Sequence, residues 1–436
     1  MVEKINNKVS GKILIRNTQI LTMTGAALQN GDILIEHDKI AALGTVTDEQ
    51  AEGAQVIDGK RTVAMPGLVN THTHAAMTLL RSYADDMELM SWLNDKIWPA
   101  EAKFVNSSIY WGTSLAVLEM IQSGTTTFAD MYDSMHEVAR VTEESGVRAN
   151  LSRGLIVFSD PELKNIQKNI RLYENFHNQA EGRLKVWFGP HAPYTCPPEY
   201  LEKIVDAAAY CKTGLHVHLA ETQDELRQIK EGYGKTPTEY LHDLGVFELP
   251  ALAAHGVYLT DSDVEILKEH NVSIAHNPSS NLKLASGIAD VARYQKAGLN
   301  VSLGTDGASS NNSLNMFKEM TMCSFAQKVK TMDPTVLPAE AVLQMATING
   351  ARALHWDNEI GTLEVGKKAD IILVDIDKPH FSPWNNTVSD LVYSAQGSDV
   401  KTTIVNGKVL MQNYEVLTMD RERIMAEAAR IAHSIL

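Results

Sequence analysis

Two histidines with one residue between them, His72-Thr73-His74, could grip a metal ion. Side chains at i and i+2 of a strand point the same way, so both imidazoles can face one point and share one cation. Five more histidines (His191, His216, His218, His255 and His276) lie at or just after runs that read as strands. Asp306 follows another such run, in Gly304-Thr305-Asp306-Gly307. Imidazoles scattered at random would divide among helices, loops and both ends of the fold, so seven of 15 at strand ends call for a cause. His72 and His74, joined by His218 as a third nitrogen and Asp306 as an oxygen donor, make a site for one divalent metal. That donor set suits Zn²⁺, with Fe²⁺ and Mn²⁺ as alternatives. Cys196, Cys211 and Cys323 form no C-x-x-C pair, so no thiolate cluster competes for the role.

The neighbours of these residues each have two readings. His216 lies about 6–7 Å deeper in its strand than His218, at ~3.3 Å per residue, where barrel interiors are packed side chains; it reads as a core or supporting histidine. Glu221 is three residues past His218, either solvated like Asp224 and Glu225 beside it or placed to carry a proton to a leaving group. His255 could orient an attacking oxygen or simply bond a backbone carbonyl. His276 faces the same choice, with structure favoured. His191, on the stiff Gly189-Pro190-His191-Ala192-Pro193 loop, could hold a substrate. Glu101 ends Trp98-Pro99-Ala100-Glu101 in a long loop and reads by itself as a surface glutamate. Arg153 sits in an apolar run, where a guanidinium needs a partner: a substrate carboxylate or an internal Asp or Glu.

Eight strand-like runs carry these side chains: Leu68–Thr73, Thr125–Met131, Arg148–Leu155, Leu184–Gly189, Gly214–Leu219, Leu252–Tyr258, Val272–Ala275 and Asn300–Gly304. Helical patterns separate them, among them Pro198–Cys211, Asp261–His270 and Ile288–Ala297, the last closed by Gly298. Eight β/α units over about 240 residues predict an α/β fold, a distorted (β/α)₈ TIM barrel whose strands' carboxyl ends share one mouth. A doubly wound open sheet is the competing fold, but the Gly-rich phosphate turn it would bring is absent. Short alternating runs flank the barrel: Lys12–Ile15, Gln19–Met23 and Asp32–Glu36 with a turn at His37-Asp38-Lys39, then Asp370–Val374, Thr402–Val405 and Lys408–Met411 with an Asn406-Gly407 hairpin. Neither end has strands enough for a core, so both are expected to build one small β-sandwich. A terminal helix capped by Asp420 would bury Met425, Ala428 and Ile431. The expected division is 1–61 and 369–436 for the sandwich and helix, and 62–368 for the barrel.

The 436 residues carry 39 Lys+Arg against 54 Asp+Glu, a net charge of −15, which argues against nucleic-acid and membrane partners. At 44% hydrophobic and 21% charged, the composition is that of a folded globular chain. The scattered charges of the N-terminus leave no apolar core for a secretory signal, and no window reads as a membrane span. Three unpaired cysteines fit reduced thiols, so a cytoplasmic protein is expected.

Pro66-Gly67-Leu68-Val69-Asn70-Thr71-His72-Thr73-His74, His218-Leu219-Ala220-Glu221, Ala254-His255-Gly256 and Gly304-Thr305-Asp306-Gly307 together resemble the amidohydrolase superfamily, and the likeness runs on through Gly366-Lys367-Lys368-Ala369-Asp370. Within it, His74-Ala75-Ala76-Met77 through Trp98-Pro99-Ala100-Glu101 resembles the 5-methylthioadenosine/S-adenosylhomocysteine deaminases. The resemblance implies one metal per subunit on His72, His74, His218 and Asp306. It implies that Glu221 contacts the purine and shuttles protons, that His255 supports the water, that Glu101 and His191 bind the nucleoside, and that Arg153 suits the homocysteine carboxylate. No lysine ends the third or fourth run as a bridging ligand would, which agrees with one metal instead of two. In the implied reaction Asp306 takes a proton from the attacking water and Glu221, protonated at the start, donates to the ring nitrogen beside C6. Ammonia leaves and a 6-oxo purine remains. The partner is then a small nucleoside, adenosine included, and a homo-oligomer (dimer or tetramer) is common in such folds. Deamination or dechlorination of another heterocycle (guanine, cytosine or an s-triazine) is the alternative, and a non-catalytic binding or assembly protein a weaker one.

Overall fold

The computed structural model describes residues 11–160 and 162–436; most of the N-terminal stretch read for a secretory signal lies outside them. Eight parallel strands follow one another in sequence order: Leu68–Thr73, Thr125–Tyr132, Arg148–Leu155, Leu184–Pro190, Leu215–Leu219, Ala251–His255, Ser273–His276 and Val301–Leu303. Both faces of these strands are buried, which is why they read as continuous apolar runs instead of alternating ones. The first and last strands close the ring without a ladder. The Asp306 N–H donates to the His72 carbonyl at 2.9 Å, and Thr71 Oγ1 donates to the Leu303 carbonyl at 2.8 Å. Asn70 and Thr305 bond reciprocally across the same seam, at 2.7 and 3.0 Å. This is the distorted barrel the spacing predicts. The sixth strand stops at His255, short of the expected Tyr258, because His255 and Gly256 both take positive φ (80° and 59°) and turn the chain out of the sheet.

Amphipathic helices cover the outside. Pro198–Cys211 lies where periodicity puts it, with Pro198 at its first position and Leu201, Ile204, Ala208 and Cys211 buried. Gly298 closes Val291–Ala297 at φ 94°.

Strands from both chain ends form one continuous nine-stranded mixed sheet that curls over a shared core of Ile13, Ile33, Ile371 and Ile404. Lys12–Ile20 is a single strand with a bulge between Ile15 and Thr18, where Asn17 has φ 60°, so Gln19–Met23 is not a strand of its own. Gln55–Asp58 and Thr62–Pro66, too short to show a pattern, pair with it in parallel. The Asn406-Gly407 turn forms with both φ positive, and a side chain at Gly407 would sit 1.9 Å from the His37 carbonyl oxygen. Asp420 caps the terminal helix Arg421–Ile435, accepting from the Arg423 N–H at 3.0 Å. Its buried stripe is Ile424, Ala428, Ile431 and Ile435; Met425, expected inside, is 47% exposed, one step around the helix from that stripe.

Sheet and barrel are tied by a buried ion pair. Arg148 of the third barrel strand donates through Nε and Nη2 to Asp370 at 3.0 and 3.2 Å, and Asp370 also accepts from the Asn406 N–H at 2.7 Å. No helix among the described residues is long and apolar enough to cross a membrane.

Candidate metal centre and cavity

The carboxyl ends of the barrel strands bring His72, His74, His218, His255 and Asp306 to one mouth. His74 Nε2 lies 3.3 Å from His218 Nε2 and 3.3 Å from Asp306 Oδ1, and His72 Nε2 lies 3.6 Å from the same oxygen. By proximity alone His255 groups with His72 and His218 as readily as Asp306 groups with His72 and His74. Gly304 permits this crowding: a Cβ there would lie 2.4 Å from Asn277 Oδ1 and 2.9 Å from His72 Cβ.

The far side of each ring distinguishes the imidazoles that turn Nε2 lone pairs to the cluster from the one that does not. His74 Nδ1 meets the Met131 carbonyl at 2.6 Å and His218 Nδ1 meets the His191 carbonyl at 2.6 Å, so both Nδ1 atoms donate and both Nε2 lone pairs face the cluster. His72 Nδ1 meets His216 Nε2 at 2.9 Å, so His216 stands directly behind the His72 ring. His72 Nε2 is buried without a hydrogen-bond partner, an orphaned lone pair that suits a metal ligand. Burial, reinforced by the neighbouring imidazoles, drives His72 and His218 well below the ordinary histidine range, so both stay neutral as ligands must. His255 differs. Its Nδ1 faces amide nitrogens of Asn281 at 2.9 Å and Asn277 at 3.4 Å, so it accepts there and carries its proton on Nε2 as a donor. His276 is buried and pushed down to about 3 by desolvation, a neutral core histidine.

Asp306 presents Oδ1 to the cluster, where the Gly307 N–H also donates at 2.8 Å; Oδ2 takes hydroxyls from Ser280 at 2.6 Å and Ser310 at 3.1 Å. Burial raises its pKa, but the pull of His74 and His255 and these donors prevails and leaves it below the usual carboxylate range. Glu221 goes the other way. Burial raises it, His255 opposes and Asp306 adds to the rise, so its acid form persists to higher pH. Its Oε1 accepts from Ser286 at 3.1 Å and its Oε2 lies 3.7 Å from His255 Nε2.

Glu225 is not the solvated neighbour that its position suggested. It is 2% exposed, and its two oxygens accept the N–H groups of Ala220 at 2.7 Å and Glu221 at 2.9 Å. It thereby holds the turn in which Ala220 adopts φ 54°, a conformation costly for alanine. The signal was legible: Thr222-x-x-Glu225 is a capping-box pattern, and Thr222 does accept from the Glu225 N–H at 3.2 Å, but the carboxylate reaches past the cap to the turn that aims Glu221. Glu225→Ala should cut kcat ~10-fold or more through misplacement of Glu221. Metal content should stay unchanged, and Glu225→Gln should recover part of the rate through its one remaining acceptor. Steady-state kinetics with metal analysis checks this.

A cavity of about 320 Å³ opens beside the cluster, in the range of small-molecule sites. His191 lines it with its ring while its carbonyl fixes His218; burial takes the ring down to about 4. Glu101 lies in its wall and not on the outer surface. Desolvation lifts it to about 7 against a hydrogen bond from Tyr132 Oη. It is delivered by a helical segment, Leu89–Trp92, Leu93–Ile97 and Trp98–Glu101, whose middle turn is π-helical and whose Leu89, Trp92 and Trp98 give the cavity an apolar wall. Arg153 lines the cavity too, and it is paired internally with Asp133.

Residues 63–410 match the family model described as the amidohydrolase family. A 5-methylthioadenosine/S-adenosylhomocysteine deaminase of Pelotomaculum thermopropionicum is 53% identical over 96% of this chain and 98% of its own length. A 5'-deoxyadenosine deaminase of Methanosarcina acetivorans is 50% identical over 97% of this chain and 98% of its own. Among solved structures, an adenosine deaminase from Xanthomonas campestris with bound zinc superposes at a TM-score of 0.92 and 32% identity, covering 97% of this chain and 98% of that one.

Proposed function

The chain belongs to the amidohydrolase family, and from that premise we propose that it hydrolytically deaminates adenosines altered at the 5′ position, 5-methylthioadenosine and S-adenosylhomocysteine among them, releasing ammonia and an inosine-type product. One observation carries the reading: a carboxyl group kept protonatable, Glu221, stands beside a proton-bearing His255 at the edge of a histidine–aspartate cluster that opens on a nucleoside-sized cavity.

His72, His74, His218 and Asp306 would hold one divalent cation. Zinc is our choice, supported by the three-imidazole, one-carboxylate donor set, the unsatisfied His72 Nε2 and the zinc of the Xanthomonas campestris relative. When bound, the cation supplies Lewis acidity, which makes water acidic enough to attack at neutral pH. Asp306, ionised and held at Oδ2 by two serine hydroxyls, is the carboxylate that takes the proton of the attacking water. His255 Nε2–H orients the attacking oxygen towards the purine C6. Glu221 donates to the ring nitrogen beside C6; with Oε1 accepting from Ser286, its proton belongs on Oε2. A proton then passes to the amine, which departs as ammonia. Glu101 and His191 bind the ribose and base edge, and the Trp92–Trp98 wall keeps bulk water out. Three free, buried cysteines suit a reducing compartment such as the cytoplasm.

The test is ammonia release from 5-methylthioadenosine, S-adenosylhomocysteine, 5'-deoxyadenosine, adenosine, guanine and an s-triazine by zinc-loaded protein. The adenosines should lead by ~10²-fold or more in kcat/KM, the discrimination expected when a site loses its hydrogen-bonded groups. Preference for guanine or the triazine refutes the reading.

A further inference from the structure

One short stretch of chain, residues 280–286, meets three of the groups that handle protons. Ser280 Oγ donates to Asp306 Oδ2 at 2.6 Å, Asn281 Nδ2 to His255 Nδ1 at 2.9 Å and Ser286 Oγ to Glu221 Oε1 at 3.1 Å. The first two donors sit in the helix Pro278–Lys283, which follows the seventh barrel strand directly and is fixed by it. Ser286 lies past the helix end, between Ala285 at φ 53° and Gly287 at φ 134°. Its N–H donates to the Asn281 carbonyl at 2.9 Å, which ties it back to the helix but leaves its far side to another support.

Tyr258 is that support, and it stands outside the cavity wall. Its Oη donates to the Ser286 carbonyl at 2.6 Å. Its N–H donates at 2.9 Å to the Ala220 carbonyl, part of the peptide group that leads into Glu221. One residue thus bonds the backbone on both sides of the Ser286–Glu221 hydrogen bond, and the stiff phenol ring between its two donors sets their separation. Gly287 lets the loop come this close: a Cβ there would lie 2.8 Å from Tyr258 Oη and 2.9 Å from Val257 Cγ1. The strand exit that carries Tyr258 is pinned as well, since the Gly256 N–H donates to the Leu219 carbonyl at 3.1 Å.

Resting on the deaminase reading above, we propose that Tyr258 is a positioning residue for proton delivery: it braces Ser286 against the turn of Glu221. So braced, Ser286 Oγ stays on Oε1, and Oε2 is left to carry the proton to the ring nitrogen. A carboxyl group free to turn is aligned with its acceptor less often, and small misplacements are costly in rate. Because Tyr258 stands outside the cavity wall, its effect falls on kcat and not on binding.

The experiment measures kcat and KM for 5-methylthioadenosine with zinc-loaded wild type, Tyr258→Phe, Ser286→Ala and the double variant Tyr258→Phe/Ser286→Ala, with zinc content in parallel. Phenylalanine keeps the ring and the N–H bond to Ala220 and removes the hydroxyl alone. Tyr258→Phe should lower kcat ~5-fold and Ser286→Ala ~10-fold, the scale of one hydrogen bond, with KM within ~2-fold of the wild type and zinc content unchanged. The double variant should match Ser286→Ala in kcat, because the phenol acts only through the serine. Losses that multiply in the double variant overturn the proposal, since a general weakening of the fold would add to the missing serine. So does a rise in KM with kcat unchanged in Tyr258→Phe, which would place the tyrosine in binding. A wild-type kcat in either single variant overturns it while leaving the deaminase reading standing; no ammonia from any adenosine with the wild type defeats both.

Discussion

Replacement of Glu221 by glutamine should lower kcat by ~10² or more, the scale of a positioned acid or base, while metal content stays at the wild-type level. Glutamine keeps the shape and an acceptor for Ser286 but has no proton to give to the ring nitrogen. The pH dependence separates this role from a structural one. Burial raises the Glu221 pKa above the ordinary carboxylate value. The acid form therefore persists at low and intermediate pH and is lost as pH climbs through that raised value. A wild-type rate limited by this acid declines along the same limb, and Glu221→Gln should erase the decline together with most of the rate. Steady-state kcat across pH, with bound metal measured in parallel, reads both. Full activity in Glu221→Gln would reject the assignment.

The barrel was legible because each of its strands is buried on both sides, so hydrophobic runs announce them one by one, and because histidines at their ends stand out against that background. The strands at the chain termini were harder. Gln55–Asp58 and Thr62–Pro66 are short enough that no alternation develops, and the bulge at Asn17 disguises Lys12–Ile20 as two pieces. Spacing brings His72, His74, His218 and Asp306 to one mouth but is silent on what lies behind them. His216 against His72 Nδ1, Asn281 against His255 and Ser280 against Asp306 join segments distant in sequence, with separations of 144, 26 and 26 residues, and none has a local signature. Arg153 shows the same limit in a sharper form. Sequence leaves a substrate carboxylate and an internal acid as rival partners; only the register that sets Tyr132 beside Arg153 brings Asp133 within reach.

Chelation should abolish activity and lower the unfolding temperature, with both restored by added Zn²⁺. In the cluster His74 Nε2 lies 3.3 Å from both His218 Nε2 and Asp306 Oδ1, and His72 Nε2 lies 3.6 Å from that oxygen. In such a place His72 Nε2 is buried with no hydrogen-bond partner from the protein. A cation that binds only the folded chain stabilises it by about 4 kcal/mol when present at ~1,000 times Kd, so its withdrawal is visible in a melt as well as in an assay. His218→Ala makes the case specific. Ordinary outer partners of metal ligands are worth ~10–100-fold in affinity, and a ligand itself should be worth more. The variant should purify with sub-stoichiometric metal, respond weakly to added Zn²⁺ in the melt, and retain less than ~10⁻³ of the wild-type kcat, the combined loss of Lewis acidity and orientation. His276→Ala supplies the contrast, since it removes an equally buried histidine that has no part in the cluster: its cost should appear in stability, with metal stoichiometry kept. Should His218→Ala bind a full equivalent of zinc and melt with the same metal-dependent gain as the wild type, the cation would have to sit elsewhere, and His255, the remaining imidazole within reach of His72, would be the first place to look.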